Sequence, residues 1–154
     1  MDILKLLIAA FSATNIMTTY SYVVSISFKK QFKEPLMLNF ILDGAGIKLT
    51  GKVKKFSGWL AHYLIGFAFV LVYESIWHYT NVEFGFVSAI AFGVVSGFVG
   101  IACWRIIDGL PDGNPHIPSK EYAIQLFFGH VIFAVAVVVA FKIFNYDPLS
   151  YVYP

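Results

Sequence analysis

Residues 56–79 read FSGWLAHYLIGFAFVLVYESIWHY, and this stretch decides the fold. A helix rises about 1.5 Å per residue, so about 20 apolar residues cross a hydrocarbon core about 30 Å thick. The stretch is long enough, with some length over for tilt. It is apolar around its whole circumference, which separates a membrane span from a surface helix with one wet face. Trp59 and Tyr63 near its start, and Trp77 and Tyr79 near its end, fit the aromatic belts of two membrane interfaces. Gly58 and Gly66 would be costly in a soluble helix but are common in membrane helices.

The composition agrees. The chain of 154 residues is 58% hydrophobic and 13% charged, with a mean hydropathy of +0.73. A soluble domain carries roughly 25% charge. The expectation is a single-domain, multi-pass membrane protein. No arginine-rich or aromatic-interleaved basic face appears, which argues against a nucleic-acid partner. Cys103 is the one cysteine, so no internal disulfide forms, and its place in an apolar run predicts a buried, inert thiol.

Three further spans flank the first stretch, at about 6–28, 84–107 and 121–146. A cleaved signal peptide competes for the first of these. Asp2 beside a single Lys5 makes a poor basic leader, however, and the apolar run outlasts a signal core. Ser12, Asn15, Thr19 and Tyr22 recur at spacings of three and four in this span. They predict a polar stripe facing neighbouring helices, where such groups pair across the interface. In the third span Gly85, Ala89, Gly93 and Gly97 recur every four residues. That ladder predicts a close backbone contact, with a helix of this chain or of a second copy. Lys142, near the end of the fourth span, is expected to snorkel outward.

Residues 29–55, KKQFKEPLMLNFILDGAGIKLTGKVKK, hold seven of the eleven Lys and Arg residues. The positive-inside rule places this linker in the cytoplasm. Within it, 35–43 is apolar but too short to span; Pro35 suits a helix start and Gly44 a stop. We expect a short amphipathic helix in the interface, flanked by lysines that attract anionic lipid. Turn 80–83 and both termini then lie outside, and loop 108–120, rich in Gly and Pro, lies inside. The fold class expected is all-α: an integral membrane four-helix bundle with an interfacial helix in the first cytoplasmic linker. The expected location is the plasma membrane, as a bacterial inner-membrane protein.

Ionisable groups within a bilayer are expensive, so each suggests a function. His62 and His130 lie about 9 Å and 13 Å inside the cytoplasmic starts of their spans. Histidines at similar depth on different helices can ligate one b-type haem or share a proton. Against that stands a neutral histidine bonded to a neighbouring hydroxyl or carbonyl. Glu74 and His78, one turn apart, suggest a proton-sharing pair near the outer face, and Asn15 is the costliest polar group in the first span. Asp108, Asp112 and His116 offer metal-ligand chemistry, but the prolines between them break any helix that would align them. There is no nucleophile elbow, phosphate-binding glycine loop or HExxH motif.

The expected function is a non-enzymatic accessory, scaffold or transport component of a membrane complex, self-associating or joined to larger partners. The first alternative is a b-type haem electron-transfer subunit using His62 and His130. The second is a membrane enzyme working at the cytoplasmic face.

Overall fold

The computed structural model describes residues 2–44, 46–47, 49–108, 119–146 and 148. Among them the chain forms five helices and no strand: α1 (Ile3–Phe28), α2 (Glu34–Gly44), α3 (Gly51–Tyr79), α4 (Phe86–Asp108) and α5 (Ser119–Ile143). All but α2 are long and apolar enough to cross a membrane. Many large apolar side chains on their outer surfaces, among them Phe11, Val23, Leu64, Val87 and Phe98, are exposed. Such a surface is compatible with lipid, which solvates Leu and Phe as well as a protein core does.

Local signals set the ends. The Asp2 carboxylate accepts from the Leu4 and Lys5 amides at 3.2 and 3.4 Å, capping α1. At the other end Lys29 turns left-handed, with φ 52°, and the Lys30 amide bonds back to the Ser25 carbonyl at 3.1 Å. Ser25 then clasps the returning chain. Its hydroxyl donates to the Lys30 carbonyl and accepts from the Phe32 amide. The linker therefore folds back over the end of α1 and carries Phe32, Glu34 and Met37 into the interior.

The helix foreseen over 35–43 exists, one residue longer at each end. It packs against α3. Gly58 lies so close to the Pro35 carbonyl and the Asn39 side chain that any Cβ would collide with both. The linker lysines are not all free to meet lipid. Lys54 pairs with Asp43 at 2.5 Å, Lys30 with Glu121 at 2.7 Å, and Lys33 lies 4.7 Å over the Tyr22 ring. The first two pairs tie α2 to α3 and the linker to the start of α5.

Helix α5 is the centre of the bundle, approached closely by α4 on one side and α1 on the other, while α3 approaches α1 and α2. The small-residue ladder meets α5 of the same chain. A Cβ on Gly93 would lie 2.6 Å from Val131 Cα, and one on Gly97 would lie 2.9 Å from the Phe127 ring. Ala89 is buried, whereas Gly85 has open space around it and adds nothing to this contact. Lys142 lies 4.6 Å over the Phe86 ring.

The backbones of α3 and α4 stay apart over most of their length. Near the 80–85 turn, rings fill the gap. Trp77 is fully buried between Phe84 and Phe92, at 5.1 Å from each, and its Nε1 donates to Ser88 at 2.9 Å. Trp77 is thus a core residue and not a member of the interfacial belt. Tyr73 stacks on Phe92 and donates to the Ser96 hydroxyl at 2.5 Å; Ser96 spends its own hydrogen on the Phe92 carbonyl.

Candidate functional site: a chamber in the linker half of the bundle

Towards the linker end the rings give out, and a cavity of about 300 Å³ lies among all five helices. That is the lower end of the range of small-molecule sites. Its wall is mostly apolar, with Met17, Met37, Phe69, Leu126 and Phe133 among its members. Its polar members are Thr14, Glu34, His62, Trp104, Tyr122 and His130. The lining residues Ile65 on α3 and Val99 on α4 are 44% and 47% exposed, and Cys103 is exposed as well. The chamber therefore opens sideways between α3 and α4, through a surface of span residues. Cys103 is not the buried thiol expected; it stands on this rim because the wide α3–α4 separation leaves that face of α4 uncovered.

The polar stripe that α1 buries is not the one predicted. Thr14, Thr18, Ser21 and Ser25 face inward, whereas Thr19 is exposed and bonds back to the Asn15 carbonyl. Hydroxyl residues are dense enough on α1 to draw two adjacent stripes, both at spacings of three and four. Asn15 lies at the edge, taking a hydrogen bond from Tyr63 at 3.0 Å and donating to the Phe11 carbonyl at 2.7 Å. The inward stripe carries the site. Thr18 donates its one hydrogen to the Thr14 carbonyl at 2.7 Å, so its oxygen accepts from His62 Nε2 at 3.0 Å. From this network we assign His62 the Nε2–H tautomer, with Nδ1 carrying a bare lone pair. His130 is fixed the other way. Its Nδ1 donates to the Leu126 carbonyl at 2.8 Å, leaving Nε2 bare, and Gly100 leaves room for its ring. The histidines paired in the sequence thus line one chamber, each presenting an acceptor nitrogen without a protein partner among the described residues.

One turn along the stripe from Thr18, Ser21 donates to the carboxylate of Glu34. Gln125 Nε2 donates to the same Glu34 oxygen at 2.8 Å and to Ser21 at 2.7 Å. Glu34 is 4% exposed, and its second oxygen is buried with no partner. Burial pushes its carboxyl up to about 7, against the hydrogen bonds of Ser21 and Gln125, which pull it down. In the sequence the linker stands out for its lysines, and nothing there gives Glu34 a role. Its signal was its place immediately before Pro35, at the start of a helix that the clasped linker turns inward. Gln125 was legible by the same rule that singled out the histidines, a polar group inside an apolar span. Trp104 is 5% exposed, its ring 4.7 Å from that of Tyr122, with its Nε1 unpartnered.

The other polar candidates find separate partners. Glu74 accepts from Tyr146 at 3.1 Å, and His78 Nδ1 donates to the Pro148 carbonyl at 3.0 Å. No mutual bond joins them, so each serves to hold the turn after α5. That turn is built by Asn145 at φ 48° and a Tyr146 amide bond to the Phe141 carbonyl at 2.8 Å. Of the residues considered for metal binding, Asp112 and His116 lie outside the described residues. Asp108 ends α4, and its side chain also lies outside them. The described residues contain no group of three His, Cys, Asp or Glu side chains arranged to hold a metal. No family model, no curated protein and no solved structure matches the chain.

Proposed function

We propose that this chain is a non-enzymatic membrane component that binds a small, largely apolar molecule, as a transport or accessory element. The chamber is the single observation that carries this reading: a half-open apolar volume with a few convergent polar groups and a lateral mouth. A molecule dissolved in the bilayer reaches such a mouth without crossing water. In this reading the linker lies at the cytoplasmic face of a bacterial inner membrane, by its lysine content, and its free lysines meet anionic lipid. Oligomers or larger complexes would form through the outer faces of the spans. Native mass spectrometry of protein released from its own membrane tests the reading. The expected result is a bound small molecule that is lost in Val99→Phe, which fills the mouth. A wild-type protein carrying nothing beyond lipid and detergent, or a bound molecule indifferent to the substitution, would overturn it.

The two bare imidazole nitrogens favour one second reading, a b-type haem electron-transfer subunit. A purified protein without a Soret band, unchanged by His130→Ala after haem is supplied during expression, removes it.

A further inference from the structure

We propose that the chamber selects a small amphipathic amine, its ammonium held by Glu34 and its apolar body lying among the rings towards Phe69 and Phe133. This rests on the chamber being a ligand site, as proposed above.

The argument begins with what the polar groups lack. Glu34 Oε2 and Gln125 Oε1 are buried acceptors with no donor. His62 Nδ1 and His130 Nε2 are acceptors by the tautomers their partners impose. Against these stand Trp104 Nε1, an unpartnered donor in the wall, and the Thr14 hydroxyl, which can give or take. Acceptors are still the larger set, and a ligand that donates more than one hydrogen suits the chamber better than one that only accepts. A protonated amine donates up to three and accepts none.

Charge points the same way. Glu34 is the one described carboxylate in the chamber wall. No ion pair among the described residues includes it; Lys33, its neighbour in the chain, lies over the Tyr22 ring, and Lys30 is committed to Glu121. A carboxylate left ionised there would be an uncompensated buried charge, which is strongly unfavourable. One left protonated can give its hydrogen to Ser21, whose own hydrogen then goes to the Met17 carbonyl, but Oε2 still lacks a donor. A cationic head group removes both problems. The rings of Trp104 and Tyr122 line the same chamber as Glu34. Aromatic faces beside a carboxylate are the usual environment of a bound ammonium. A bare divalent ion is a poorer fit, since the described residues gather no set of three ligating side chains.

The mouth sets the rest of the ligand. Ile65, Val99 and Cys103 flank it, so what passes is apolar along most of its length. The volume of about 300 Å³ limits it to a small body, not a whole phospholipid.

The test uses Cys103 as its reporter, in the full-length protein reconstituted in phosphatidylcholine nanodiscs. Alkylation of this thiol by a membrane-permeant maleimide is timed in the presence of phenylbutylamine, phenylbutanol or phenylbutanoate. The expected result is protection by the amine at about tenfold lower concentration than by the alcohol, with none from the acid. Glu34→Gln should remove the preference for the amine, and Glu34→Asp should retain it. Equal protection by all three probes overturns the ammonium assignment and leaves a chamber that binds apolar molecules. Protection by none overturns the assignment as well; the co-purifying molecule then judges the chamber separately. The wild-type comparison of amine with alcohol decides the matter even if Glu34→Gln does not fold.

Discussion

The two halves of this bundle solve the same packing problem differently. Near the 80–85 turn, α3 and α4 are separated by rings, and each ring's polar tip has a partner: Trp77 on Ser88 and Tyr73 on Ser96. Towards the linker the same separation surrounds a chamber. Every buried, unpartnered polar side-chain atom found among the described residues is in this half: Thr14, Glu34, Asn39, Trp104 and Gln125. Within a low-dielectric interior an unpaired polar group costs about 1–3 kcal/mol. The contrast teaches that the turn half is filled with its polar groups paired, while the linker half leaves polar groups unpaired around an open space.

Substitutions can break this contrast or sharpen it. The largest effect is expected from Trp77→Ala in the filled half, which should cost about 3–5 kcal/mol of unfolding free energy in detergent. An equal loss from a chamber-wall truncation such as Leu126→Ala would abolish the distinction. Next comes Glu34. Its carboxyl is raised from 4.5 to about 7 in the folded chain, so the folded state binds the proton more tightly than the unfolded. Its contribution to stability is fully present below 4.5 and is lost as pH rises towards about 7, amounting to roughly 3 kcal/mol. The unfolding free energy measured across that interval should fall with rising pH in the wild type more than in Glu34→Gln; parallel curves would contradict the buried, raised carboxyl.

A matched pair of glycines probes the contrast more finely. A methyl on Gly93 meets the α5 backbone at 2.6 Å, where nothing can yield without separating the helices. Gly93→Ala should cost about 1–3 kcal/mol. A methyl on Gly100 meets instead the His130 ring, at 2.8 Å, and that ring borders the chamber. Gly100→Ala should cost less than about 1 kcal/mol, the ring moving into open space. Thermal unfolding of the two variants side by side checks the order, and its reversal would mean that the chamber wall is as tightly packed as the helix seam.

Most of the architecture was legible from length and hydropathy, because a bilayer leaves the backbone few choices. The four apolar runs, the short linker helix and the small-residue seam all follow from patterns along one segment. The site was legible only in part. His62 and His130 announce themselves as costly residues in apolar runs. Their meeting in one chamber depends on how α3, α4 and α5 are spaced, which no local pattern encodes. Glu34 was hidden for a different reason. Sequence places it among lysines in a linker, and only the Ser25 clasp and the reversal at Lys29 turn it inward. The choice between two stripes on α1 likewise turns on which face meets α3, and spacing alone cannot make it.

The α3–α4 pair is joined at its ring-filled end by a turn, tied down by Thr80 bonding to Ile76 at 2.6 Å and Ser88 bonding to Glu83 at 2.7 Å. The aperture beside Cys103 lies at the other end of the pair, where α5 seats α4 and α1 and α2 seat α3, so its width is set by three neighbouring helices and not by the turn that joins the two.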